Sequence, residues 1–180
     1  MTETSFRAFF FKVAACKTVT YFFAGTAAYV LFDYKTLFES GPLSALMRPM
    51  NSLWVALGPA LQPLRGLVFA LALFPFRRVF LEEKRGWLWL WGLFVGLAIL
   101  SPVGPSPGSI EGLIYTKLSL TSHLRGLPEV MSQTLAFAAL LVAWHRKPHR
   151  RWSVIMGILT GLILAMSIAG AFLERPDAFR

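Results

Sequence analysis

Cysteine is the first scarcity: the chain has one, Cys16. A single thiol forms no intramolecular disulfide, and a zinc site built on cysteine pairs is excluded for the chain on its own. Charge is scarce too. Asp, Glu, Lys and Arg make up 15% of 180 residues and hydrophobic residues 56%, above the apolar share of about 45–50% in ordinary globular domains. The scarcer sign is negative, with 9 carboxylates against 18 Lys and Arg, giving a net charge of +9 and a pI near 10.3.

Such a basic balance suits nucleic acid only where cations form a continuous face with interleaved aromatics, and no such face is written here. The cations gather instead in short clusters before or between apolar runs: Arg7, Lys12 and Lys17; Arg77, Arg78, Lys84 and Arg85; Arg146, Lys147, Arg150 and Arg151. That alternation is what the positive-inside rule asks of a membrane protein. The expected partners are therefore the lipid bilayer, with a second copy of the chain or another membrane protein beside it, and not nucleic acid.

The apolar runs predict an all-α, polytopic helical membrane protein, a single domain over 1–180 with about five transmembrane helices at roughly 15–34, 61–77, 87–101, 128–144 and 153–173. An amphipathic lead-in before Lys17 and an interfacial helix over Leu43 to Leu57, bent or restarted at Pro49, complete the helices on the first half. Val13, Ala14 and Ala15 before Cys16 resemble a lipoprotein signal, but Lys12 interrupts the run and the long apolar segment follows the cysteine, so the first span reads as an uncleaved anchor. Pro63 and Pro128 fall where a missing N–H is harmless, in the first turns of the second and fourth spans. Glu174, Arg175 and Pro176 close the fifth. The charge pattern puts the N-terminus in the cytoplasm and the C-terminus outside, in a bacterial inner membrane.

The longest interruption between apolar runs is Ser101 to Gln133, and it carries the candidate site residues Glu111, His123, Arg125 and Glu129. Their spacing matches no single-helix zinc motif, no nucleophile elbow and no phosphate-binding loop, so no metal and no cofactor is expected. A loop of that length without its own structure is uncommon. Its many Leu and Ile side chains predict an ordered cap that folds onto the outer helix ends, with Ser109 capping a short helix. Small residues mark expected helix-packing faces: Gly92 and Gly96 in the third span, and Gly157, Gly161 and Ala165 in the fifth.

Two functional readings follow. The first is a non-enzymatic accessory or structural subunit, or a small transporter protomer; the span centres hold no Asp, Glu, Lys or His to line a path. The alternative is a membrane-embedded enzyme acting on a lipid or lipid-linked substrate at the outer face, with Glu111, His123, Arg125 and Glu129 converging beneath the loop.

Overall fold

The computed structural model describes residues 5–41, 43–101 and 104–173. Among them every regular element is helical: α1 (Phe6–Leu31), α2 (Tyr34–Glu39), α3 (Leu53–Ala56), α4 (Gln62–Leu73), α5 (Arg77–Leu81), α6 (Gly86–Leu100), α7 (Ile110–Tyr115), α8 (Leu120–Arg125), α9 (Leu127–Arg146) and α10 (Arg150–Leu173). The expected closure of the fifth span by Glu174, Arg175 and Pro176 lies outside the described residues, as does Pro102.

The lead-in and first span are one continuous helix, α1, capped by the Ser5 hydroxyl, which accepts from the Ala8 N–H at 3.4 Å. It stops where Asp33 turns left-handed (φ 47°), and the Asp33 carboxylate accepts from the Thr36 N–H to start α2. The predicted interfacial helix over Leu43 to Leu57 does not form as one element: turns and bends occupy most of the stretch up to Ser52, and only the four-residue α3 is helical.

Two stretches, Leu120–Arg146 and Arg150–Phe172, are long and apolar enough to cross a bilayer; α4 and α6 are apolar but shorter. At 12 and 15 residues they extend about 18 and 22 Å, short of a hydrocarbon core of about 30 Å. The second predicted span ends early because of Pro75, which has no N–H to offer the Leu71 carbonyl, so α4 stops at Leu73 and the chain turns into α5.

Helix α3 precedes α4 across an irregular stretch from Leu57 to Leu61. The backbone groups released there are met by side chains. Ser167 of α10, itself buried, donates to the Ala56 carbonyl at 2.6 Å and accepts from the Ala60 N–H at 3.2 Å. Gln62, fully buried, donates to the Gly58 carbonyl at 3.0 Å. Pro63 sits in the first turn of α4, where the sequence put it.

The core forms around α1, which packs on α4, α9 and α10. Its buried side chains include Phe9, Val13 and Cys16, facing Ala70, Leu141 and Trp144 of the same cluster. Phe69, Phe94 and Phe137 meet with ring centres 5.1 to 6.3 Å apart and join α4, α6 and α9. At one end of the bundle the Arg146 side chain donates to the carbonyls of Leu81, at 3.1 Å, and Glu83. At the same end Lys12 lies 6.0 Å from the Trp144 ring centre, and Arg77 lies 4.3 Å from that of Phe74, against which Phe6 packs edge-on.

Helix packing uses a glycine that the periodicity did not single out. A Cβ on Gly66 would fall 2.6 Å from the Ala14 Cα, so α1 and α4 touch backbone to backbone there. The expected faces are different. Around Gly92, Gly96 and Gly161 an added Cβ meets nothing within 4 Å, and Ala165 is exposed; Gly157 alone of the five approaches another helix, with Phe11 3.8 Å away. The α10 face that packs inward carries Met156, Ile163, Ser167 and Ala171 instead.

Gly66→Ala therefore forces α1 and α4 apart and destabilises by about 1–3 kcal/mol or more, a drop of several degrees in thermal melting of the detergent-solubilised protein. Gly161→Leu leaves the melting temperature of the monomer unchanged. Equal behaviour of the two variants contradicts the Gly66 contact.

Candidate functional site

The end of the bundle opposite Arg146 holds a cavity of about 700 Å³. Its walls come from α1 (Tyr21, Phe22, Gly25, Tyr29), from α2 and the turns after it (Tyr34, Leu37, Phe38, Leu43, Met47), and from Val55 and Pro59 at the interrupted pass. The roof is Pro107 and Gly108 of the Ser101 to Gln133 segment, and the far wall runs from Ser122 to Val130 across the α8–α9 junction.

Of the four candidate residues, two face this cavity and two do not. Arg125 and Glu129 line it. Glu129 stands in the first turn of α9, where the helix dipole favours a carboxylate, and its Oε2 accepts a hydrogen bond from the Tyr34 hydroxyl. Tyr34 itself stacks on Phe38 with ring centres 5.0 Å apart. Lying past the end of α1, Tyr34 has its phenol pushed up from the ordinary range, first by burial and then by the hydrogen bond and charge of Glu129, so it stays a donor.

His123 has a structural task instead. It is 3% exposed, and both ring nitrogens are engaged. Nδ1 accepts from the Gly108 N–H at 3.0 Å, which leaves Nε2 to carry the proton and donate to Thr116 Oγ1 at 3.2 Å. Thr116 in turn donates to the Gly112 carbonyl at 2.7 Å. Gly108 reaches the imidazole with φ 89°, a backbone geometry that only glycine adopts freely. Ser109 caps α7 as the sequence predicts, accepting from the Gly112 N–H at 2.9 Å.

Glu111 lies in the first turn of α7, away from the cavity lining. Glu111, Arg125 and Arg65 form no ion pair with one another among the described residues; Arg65 lies 6.0 Å from the Tyr21 ring centre. The cap is ordered, but its apolar residues are not buried by the chain: Ile114 is 62% and Tyr115 70% exposed, and Ile110, Leu113, Leu120 and Leu124 are exposed too. Polar bonds around His123 hold the segment together where apolar burial was expected. Among the described residues no three His, Cys, Asp or Glu side chains gather into a metal-holding group.

The arrangement offers an apolar, aromatic-rich pocket with one guanidinium and one carboxylate at its α8–α9 wall. Tyr34, 95 residues from its partner Glu129, is the functional candidate that the sequence reading passed over. No protein-family model, curated protein or solved structure matches the chain.

His123→Phe keeps a ring of similar size but leaves the Gly108 N–H without its partner, a cost of about 1–3 kcal/mol. Amide exchange from Gly108 to Tyr115 then quickens about tenfold or more, while α10 exchanges as before. Unchanged exchange over the cap contradicts the role given to His123. Tyr34→Phe removes the hydroxyl that donates to Glu129 and lowers the melting temperature by several degrees; an unaltered melt shows that the pair contributes nothing to stability.

Proposed function

We propose that the chain is a multi-pass integral membrane protein that works without catalysis, as an accessory subunit that holds a lipid-like molecule in the cavity at its outer end. In this reading five helical passes cross or enter the bilayer, the short α4 preceded by α3. The basic clusters face the cytoplasm of a bacterial cell, and the C-terminus lies outside.

The observation that carries the reading is the division of the bundle ends. Arg146, Lys12 and Arg77 gather at one end, and the apolar cavity with its cap lies at the other. The surface between supports it. Leu64, Val68 and Leu71 of α4, Leu93 and Leu97 of α6, and Ile155, Ile158 and Leu162 of α10 are all exposed, apolar surface of the kind that lipid covers. Tilt and local thinning of the bilayer accommodate helices shorter than the hydrocarbon thickness at modest cost.

A non-catalytic role is favoured by what the candidate residues do: His123 spends both nitrogens on the cap, and Glu111 lies apart. One observation keeps the enzymatic reading in view. Glu129 and Tyr34 form a hydrogen-bonded acid pair at the cavity wall, and any acid–base chemistry on a lipid there would run through Glu129.

Topology is tested by labelling in intact cells with a membrane-impermeant thiol reagent; native Cys16 is fully buried and silent. A cysteine replacing Lys117 in the cap is labelled from outside, and one replacing Arg150 is labelled only after the membrane is opened. The reverse pattern, or labelling of both, overturns the orientation and with it the outer site.

A further inference from the structure

We propose that the outer cavity selects a single-chain zwitterionic amphiphile, with its phosphate at Arg125, its ammonium group at Glu129 and its hydrocarbon chain along the α1–α2 wall. The inference rests on the reading of the cavity as a lipid site and adds the chemistry of the head group.

Size and lining set the tail. A volume of about 700 Å³ falls in the range of roughly 300–1,000 Å³ typical of sites for one small ligand. Phe22, Leu37, Phe38, Leu43, Met47 and Val55 supply a wall with no charge, suited to one flexible hydrocarbon chain. Methionine and aromatic side chains adapt to such a chain without fixing its conformation.

Charge sets the head. Arg125 ends α8 and Glu129 lies in the first turn of α9, four residues on, so cation and anion flank the same Gly126 junction. Arg125 is exposed at the rim and makes no hydrogen bond or ion pair among the described residues. Glu129 uses Oε2 for Tyr34, and Oε1 has no protein donor among the described residues. The two charges therefore line one cavity and are left unpaired with each other among the described residues.

Each simpler ligand leaves one of them unsatisfied. A fatty acid or a phosphate monoester answers Arg125, through two parallel hydrogen bonds, but sets its own negative charge beside Glu129. An alkylammonium answers Glu129 and repels Arg125. A neutral chain covers both charges and pairs neither, which costs desolvation. A head group with a phosphate and an ammonium answers both at once. Tyr29 lines the same cavity and adds an aromatic ring, a group that attracts an ammonium.

The test compares amphiphiles of one chain length on the purified full chain in maltoside detergent, by native mass spectrometry. The set is a C14 lysophosphatidylcholine, myristate, tetradecyltrimethylammonium and tetradecanol. The zwitterion is expected to bind about tenfold tighter than any of the others. Arg125→Gln and Glu129→Gln each lower its affinity about tenfold, and the losses have opposite companions: Arg125→Gln improves tetradecyltrimethylammonium, and Glu129→Gln improves myristate. Glu111→Gln, outside the cavity, changes nothing, and melting curves establish that each variant is folded.

Equal or tighter binding of the anionic, cationic or neutral amphiphile by the unaltered protein overturns the proposal, as does indifference of the zwitterion to both cavity variants. Binding of all four without preference leaves the lipid-site reading standing and removes only the head-group assignment. Specific binding of none removes both.

Discussion

Ser167 closes the break in the helical backbone between α3 and α4. Between α3 and α4 the chain leaves helical geometry over largely half-buried residues, and peptide groups that would bond within a helix are released. An unpaired buried peptide group costs about 1–3 kcal/mol, and in hydrocarbon the cost is higher because no water reaches it. The Ser167 hydroxyl meets one donor and one acceptor of the break, and Gln62 meets a second carbonyl. The same contact fastens α10 to the rest of the bundle at the end that holds the cavity. Val55 in α3 and Pro59 within the break are walls of the cavity, so the candidate site depends on this closure.

The opposite end is held by a different chemistry. Arg146 reaches from the end of α9 to the carbonyls of Leu81 and Glu83, using the fork of the guanidinium to satisfy acceptors left free where α5 ends. Between the two ends α1 acts as the shared packing partner, and at Gly66 it approaches α4 as closely as backbones allow. In lipid, where burial of apolar surface gives little drive for helices to associate, such close packing is a main source of stability.

Much of the helical layout was legible because long apolar runs with proline or charge at their ends carry their own boundaries. Helices α6, α9 and α10 occupy the stretches read as the third, fourth and fifth spans to within a few residues, although α6 is shorter than a spanning helix. The second was misjudged at its end since Pro75 sits inside an apolar run, and the run was read ahead of the breaker. Residue spacing showed which side of α10 is small, at Gly157, Gly161 and Ala165. It carried no information on which side is covered, and the inward side proved to be the one with Met156 and Ile163. The site was half legible. Arg125 and Glu129 were picked out with Glu111 and His123 as polar residues of the longest interruption, without distinction among the four, whereas the pairing of Glu129 with Tyr34 and of His123 with Gly108 and Thr116 exists only once α1, α2 and the cap have come together.

The central claim is that the apolar side chains left exposed on the bundle meet lipid. Nitroxide labels placed singly at Val68 on α4, Leu93 on α6 and Leu162 on α10, all exposed positions, test it in reconstituted vesicles. Collision with dissolved oxygen and with a water-soluble nickel chelate is compared by power-saturation electron paramagnetic resonance. All three labels are predicted to favour oxygen strongly, and a label at Glu82 to favour the nickel chelate. Labels on α4, α6 and α10 that meet the nickel chelate as freely as the one at Glu82 would contradict the account.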